Sequence, residues 1–400
     1  MHHSHGKLPV VTLKKGRGYS ASHFHPWIFS GAIESITDEP NPGELVKVIS
    51  DKGEPVGVGT WSPSSQIRIR LVSFGADSNF SCFDAVQVAI EARSQLMASG
   101  YTNAIRLVNG EADGLPGVIV DKYDDWAVCQ FNTAGAARMK NEIVVALLDA
   151  LPLRGIYERS DADGRRYEGL EECCGHLVGE EPPERIEIFE GEVKYFVDVR
   201  KGHKTGYYLD QRDNRRIVAT AAKGLDVLNV FSYTGGFGVA ALVGGAKSSV
   251  HVDLSQSALE IAKANTSLNG FEPNDEDFIC GNAFDVLRKF RDSRRTFDFI
   301  VLDPPKFADA KSHLRGAARG YKDINLLAMK LLRPGGMLAT FSCSGLMTPD
   351  LFTKVVSEAA VDSGRNFQIQ QRLWQASDHP DGLFFPEGLY LKGLLLKHLQ

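Results

Sequence analysis

The stretch "LDVLNVFSYTGGFGVAALVGGAKSSVHVDLSQSALEIAKANTSLNG", Leu225 to Gly270, decides the fold. Two apolar runs, "LDVLNVF" and "SSVHVDL", read as buried strands, and each is followed by a helical pattern. Ser255 is the expected N-cap of the second helix and Gly270 its stop. The same alternation continues through "DFICG", "FDFIVLD" and "GMLATFS", and the chain closes with "FQIQQRLWQ" and "LYLKGLLLKHL" as an antiparallel hairpin. Five strands alternating with helices, plus two closing strands, predict an α/β fold: a Rossmann-like, doubly wound, mainly parallel seven-stranded sheet.

Ligands on such sheets sit beyond the carboxyl ends of the strands. The first strand runs into "FSYTGGFG", where Thr234, Gly235, Gly236 and Gly238 let a ligand approach the backbone and leave free amides at a helix N-terminus. Taken alone, this turn is equally a plain tight turn. The second strand ends in "HVDLS", putting Asp253, with Leu254 after it, where a carboxylate takes both hydroxyls of a ribose. Both signals at consecutive strand ends predict a nucleotide-like ligand. The third ends in "CGNAF", where Asn282, next to Ala283, is either a contact to an adenine ring or an ordinary Asx turn. The fourth ends in "LDPPKF": Asp303 precedes two prolines that stiffen the loop and remove two amides. The fifth ends in "FSCSG", which sets Cys343 beside Asp303 as a candidate nucleophile.

Upstream the texture differs. Residues 1–75 carry short strand-like runs such as "GELVKVIS", "PVGVGTW" and "QIRIRLVSF", which predict a small β-barrel. Residues 76–199 begin with a helical stretch, Phe83 to Met97, and then read as strand, strand, helix, strand, strand: the hairpin "GVIVDKYDDWAVCQF", the helix "ARMKNEIVVALLDAL" and the hairpin "RIEIFEGEVKYFVDV". The expected division is thus 1–75, 76–199 and 200–400. Four hundred residues support several cores, and 45 basic against 50 acidic residues give a formal charge of −5, so a polyanion must be met by local basic patches. The six cysteines form no C-x-x-C pair or zinc-like spacing, which points to a reduced, cytoplasmic setting without a metal. No apolar run approaches a membrane span, and the polar start "MHHSHGK" lacks the apolar core of a signal peptide and is excluded from the fold.

Together, "LNVFSYTGGFGVAA", "VDLS", "LDPPKF" and "FSCSGLM" resemble the class I S-adenosylmethionine-dependent methyltransferases, and specifically the ribosomal RNA large subunit methyltransferase I family. The resemblance extends to "KTGYYLDQRDNR", to "NGEADGLPGVIVDKY" and to "LKKGRGYSASHFHPWIFSGAI", which is similar to the opening of a PUA RNA-binding domain, so it covers nearly the whole chain. It implies a PUA domain, a central α+β module and a methyltransferase domain. The cofactor it implies is S-adenosyl-L-methionine, held by Gln211, Phe231, Ser232, Tyr233, Thr234, Gly235, Gly236, Asp253, Leu254, Asn282, Ala283 and Asp303. The product it implies is 5-methylcytosine in large-subunit ribosomal RNA. In that chemistry a thiolate adds to C6, C5 attacks the sulfonium methyl, the C5 proton leaves and the thiolate is expelled. Cys343 then has the role of nucleophile and Asp303 holds or protonates N3. Two positions depart from the pattern: the family often has Asp where this chain has Asn282, and many cytosine-5 RNA methyltransferases carry a second cysteine where this chain has Lys306. Lys306 is read as a phosphate contact or as a group tuning Cys343, and the proton acceptor stays open.

Lys311, Arg315 and Arg319 are spaced four apart and form one cationic stripe if helical, with Lys322 close by; a solvated helix face gives the same pattern. In the first domain Lys14, Lys15 and Arg17 precede His23, His25 and Trp27, mixing charge with flat rings, while Trp27 and Phe29 read as core. The expected partner is RNA, with no membrane, and a homodimer is compatible. Two rivals remain at this stage: methylation of another base or an exocyclic amine, and a non-catalytic RNA-binding assembly factor with a vestigial pocket.

Overall fold

A computed structural model describes residues 8–76, 79–307 and 310–399; the polar start Met1 to Lys7 lies outside them. The chain divides into two compact units. The first comprises residues 1–186, 197–207 and 378–388, the second 187–196, 208–377 and 389–400.

The first unit holds two sheets. The N-terminal one has six strands in the order Trp27–Phe29, Ile67–Phe74, Pro55–Trp61, Leu45–Ile49, Val10–Leu13, Ile33–Ile36, wrapped around Val11, Val46, Val48, Ile69 and Leu71. Phe29, expected in this core, is half exposed. The second sheet has five strands, in the order Cys173–Gly179, Gly155–Ser160, Trp126–Phe131, Val118–Tyr123, Ala104–Asn109, packed against the helices Cys82–Glu91 and Ala134–Ala150. Only its central hairpin was expected. The hairpin Ile186–Glu190 and Val193–Val197 does not join this sheet; it forms a two-stranded sheet of its own. Most of that hairpin, residues 187–196, belongs to the second unit, so the boundary expected at 199/200 is not where the compact units separate.

The second unit is the doubly wound sheet. Its strands are β1 Asp226–Val230, β2 Ser248–Asp253, β3 Phe278–Cys280, β4 Phe297–Leu302, β5 Leu332–Ser342, β6 Phe367–Trp374 and β7 Lys392–His398. Their order is β3-β2-β1-β4-β5-β7-β6, with β7 antiparallel to both neighbours and the other pairs parallel. The helices are α1 Arg212–Ala221, α2 Gly236–Val243, α3 Gln256–Leu268, α4 Ala283–Asp292, α5 Leu314–Leu331 and α6 Pro349–Ser363. Strands β1, β4 and β5 are mostly apolar because helices cover both faces, giving one core with Leu228, Ile300, Leu338, Tyr321 and Phe352 and another with Val227, Phe299, Phe341 and Phe237. Ser255 caps α3 as expected, its hydroxyl accepting from the Ala258 amide at 3.2 Å, and Gly270 takes the left-handed conformation beyond it. No helix among the described residues is long and apolar enough to cross a membrane.

Cys280, the last residue of β3, is exposed, because β3 is short and lies at the sheet edge.

Candidate active site

The order of the strands brings the chemistry together. The register pairs Val230 with Leu302 and Leu302 with Thr340, so Phe231 after β1, Asp303 after β4 and Cys343 after β5 leave the same end of three adjacent strands. The chain diverges to opposite sides at β1, which opens a crevice there.

The turn after β1 bends sharply. Phe231, Tyr233 and Gly235 have φ values of 59°, 48° and 85°, the left-handed region that costs a non-glycine residue about 1–2 kcal/mol. Surrounding bonds hold it there. Asn265 donates to the Thr234 carbonyl at 2.9 Å and Tyr195 to the Gly236 carbonyl at 3.0 Å. The Asp253 carboxylate accepts from the amide of Tyr233 at 2.7 Å and that of Ser255 at 2.9 Å. Asp253 is thus fixed while half-buried, with lone pairs remaining. The hydroxyls of Ser232 and Thr234 are buried without a hydrogen-bond partner among the described residues. A bound polar ligand that satisfies them fits this loop, since a buried orphan hydroxyl is costly.

Leu254 is largely exposed after Asp253. Asn282 adopts the Asx role: its Oδ1 accepts from the Phe284 amide at 3.0 Å and caps α4, leaving the side-chain NH2 for other contacts, and Ala283 is buried behind it. Gln211, buried just before α1, donates to Asp303 Oδ1 at 3.0 Å and accepts from Asn214 at 2.6 Å. Cys343 is half-buried, its Sγ 4.0 Å from the Pro304 carbonyl. Lys306 is exposed on the loop after the prolines.

Three residues of this site went unread in the sequence. Tyr208 stacks edge-on against Tyr233, and burial followed by the nearby Asp303 carboxylate holds its hydroxyl firmly protonated. Tyr321 of α5 accepts from the Ser342 hydroxyl at 2.9 Å; burial keeps it protonated too, with Cys343 and Asp303 acting in the same direction. Lys392 opens β7 opposite Ser342 and is buried. The available signal for Lys392 was a lone charge heading the apolar run "GLLL".

On α5, Arg315 and Arg319 are exposed one turn apart, as the stripe requires. Lys311 lies in the turn Lys311–His313, and its side chain is outside the described residues. Lys322 leaves the stripe, pairing with Asp362 of α6 at 2.9 Å. In the first unit Lys14 and Arg17 are exposed, and Tyr19 stacks on His23 with ring centroids 4.0 Å apart.

A family model described as S-adenosylmethionine-dependent methyltransferase matches residues 159–395, and one described as a PUA-like domain matches residues 11–74. Ribosomal RNA large subunit methyltransferase I of Aeromonas hydrophila is 49% identical over 391 residues, covering 97% of this chain and 98% of the relative. The chain belongs to the ribosomal RNA large subunit methyltransferase I family. The protein of that name from Tolumonas auensis is 48% identical over 97% of this chain and 99% of its own. Among solved structures, a Streptococcus mutans protein described as a SAM-dependent methyltransferase matches with a TM-score of 0.83 at 23% identity, covering 97% of this chain and 99% of that one. Another with the same TM-score, at 24% identity, was solved in complex with SAH and covers the same shares. The family member described here is an S-adenosylmethionine-dependent methyltransferase with an N-terminal PUA-like domain.

Proposed function

We propose that this methyltransferase forms 5-methylcytosine in large-subunit ribosomal RNA through a covalent adduct between Cys343 and C6 of the base. The observation that carries the reading is the placement of a half-buried cysteine beyond β5, next to the strand end that bears Asp303. An exocyclic amine needs no thiol for methylation. Cytosine C5 does, because it is too weak a nucleophile until electron density is pushed into the ring.

In this reading the glycine turn and Asp253 hold S-adenosylmethionine, with Ser232 and Thr234 supplying the hydroxyls and Leu254, Asn282 and Ala283 bordering the adenine. The bound cofactor supplies an electrophilic methyl group on its sulfonium. Cys343 Sγ forms a bond to C6 and the ring electrons become available at C5. Asp303, oriented by Gln211, receives a hydrogen bond from the base or protonates N3, spreading the developing charge. After methyl transfer the C5 proton passes to water, the C5–H pair restores the C5–C6 double bond, and the Sγ–C6 bond breaks, returning its pair to sulfur. Tyr208 and Tyr321, held protonated beside Asp303 and Cys343, serve as neutral hydrogen-bonding groups near this centre and not as bases. Arg315 and Arg319 offer the nearby phosphate contacts, and Lys14 and Arg17 those of the PUA-like domain.

Target RNA carrying 5-fluorocytosine tests the adduct, since fluorine cannot leave C5 as a proton does. The wild-type protein should form a complex that survives denaturing electrophoresis, and Cys343→Ala should form none while still binding S-adenosylmethionine. Near-native methyl transfer by Cys343→Ala would refute the covalent route in favour of an exocyclic amine as acceptor.

A further inference from the structure

We propose that Lys392 is the cationic partner that holds Cys343 as a thiolate, ready for attack and again for release. The inference rests on the nucleophilic role of Cys343 given above, but its geometry is independent of RNA. Lys392 stands directly across the β5/β7 pair from Ser342, the residue before Cys343. Its Nζ donates to the carbonyl of Ser344, the residue after Cys343, at 2.6 Å. The ammonium is therefore bonded to the backbone one residue after the thiol, and its own strand is paired with the residue before it.

The side chain is 2% exposed, and no ion pair with a carboxylate is present for it among the described residues. A lone buried ammonium is costly, and an apolar residue would serve β7 equally well if packing were the only demand. One neutral carbonyl occupies one of its three donors. Burial draws its pKa down to about 8, and Cys343 acts against that by favouring the charged form. Lysine thus remains mostly protonated at neutral pH. Because the interaction between two charges is mutual, the ammonium favours the anionic sulfur by the same amount. Titratable groups near the thiol include Asp303, Tyr208 and Tyr321; the phenols stay neutral, and Asp303 accepts from Gln211.

The proton balance is simple. The Sγ–H proton passes to solvent as the pair forms, and Lys392 keeps its own. On attack the sulfur pair becomes the Sγ–C6 bond and the charge moves into the ring. On elimination that pair returns to sulfur beside the same ammonium. Lys392 acts through its charge throughout and transfers no proton.

The test is alkylation of Cys343 by iodoacetamide as a function of pH, without RNA, read by peptide mass spectrometry. An ordinary thiol is only about 3% thiolate at pH 7. The wild type should keep its reactivity below pH 7. K392M should lose it by about 10-fold or more at pH 7 yet react normally at high pH, and K392R should recover most of it. Superimposable wild-type and K392M profiles overturn the proposal. Should K392M fail to fold, the ultraviolet thiolate absorbance of the wild type less that of C343S decides: a midpoint in the ordinary thiol range or above it overturns the pairing, and one below it supports it. Failure of the 5-fluorocytosine trap with a low thiol midpoint would remove the C6 adduct and leave the ion pair standing.

Discussion

Gln211 donates its side-chain amide to Asp303 at 3.0 Å, while its own carbonyl is held by Asn214, so the carboxylate at the end of β4 is aimed from the segment that precedes the sheet. Gln211→Ala should slow single-turnover methyl transfer by about 10- to 100-fold, the worth of a hydrogen bond to a charged group. Asp303→Asn should slow it by about 100-fold or more. A Gln211→Ala rate equal to wild type would show that Asp303 needs no such orientation.

Asp253 is the second carboxylate with a fixed geometry, tied to two amides of the site. Asp253→Ala should weaken S-adenosylmethionine binding by about 1–3 kcal/mol in calorimetry, because it removes both the ribose partner and the brace for Tyr233. Unchanged affinity would take Asp253 out of the cofactor site.

Arg315 and Arg319 together should account for roughly two phosphate contacts. Replacing both by alanine should flatten the slope of log affinity against log salt by roughly 1.5 to 2, with cofactor affinity unchanged. Lys322→Ala should leave the slope alone, since that ammonium is committed to Asp362. An unaltered slope in the double variant would make the exposed pair plain solvated surface.

His251 in β2 predicts a specific acid sensitivity. It is fully buried, stacked on Phe278, with neither ring nitrogen bonded among the described residues, and burial lowers its pKa from 6.5 to about 4. Above pH 6.5 the ring is neutral in both folded and unfolded chains and contributes no pH dependence. Between 6.5 and 4 the unfolded chain binds the proton and the folded one does not, so stability falls with pH across that window. The loss should reach about 2–3 kcal/mol by pH 4.5, and His251→Leu should remove it from urea unfolding compared at pH 7 and 4.5. Equal pH dependence in both proteins would sink the assignment.

The sheet and the placement of its strand-end residues were legible in the sequence because buried parallel strands are mostly apolar runs, and each is followed by a residue type with its own chemistry. Gly238 shows why the glycine pattern was informative: a Cβ there would lie 2.3 Å from the His251 ring, so α2 approaches β2 as closely as backbone allows. The central sheet of the first unit was not legible. Its strands Ala104–Asn109 and Gly155–Ser160 bury charges, with Arg106 bound to Asp121 at 2.5 Å and Lys140 to Glu158 at 2.7 Å, and an internal ion pair looks like a surface residue in a hydropathy pattern. Lys392 was missed because a lone buried charge, held by a backbone carbonyl, also looks like a surface residue in that pattern. Lys322 was misjudged because its acidic partners lie on a different helix, far along the chain.

The excursion at residues 378–388 bears on how the protein is made. Between β6 and β7 the chain returns to the first unit, where Arg93 donates to the Asp378 carbonyl at 3.1 Å, the Arg106 amide to the Asp378 carboxylate at 2.9 Å, and Phe385 meets Trp27 at 4.9 Å between ring centroids. During synthesis, the N-terminal part therefore waits for residues 378–388 to emerge before its set of contacts is complete. A nascent chain stalled before Asp378 should accordingly be cut by protease within its first 186 residues more readily than the finished protein.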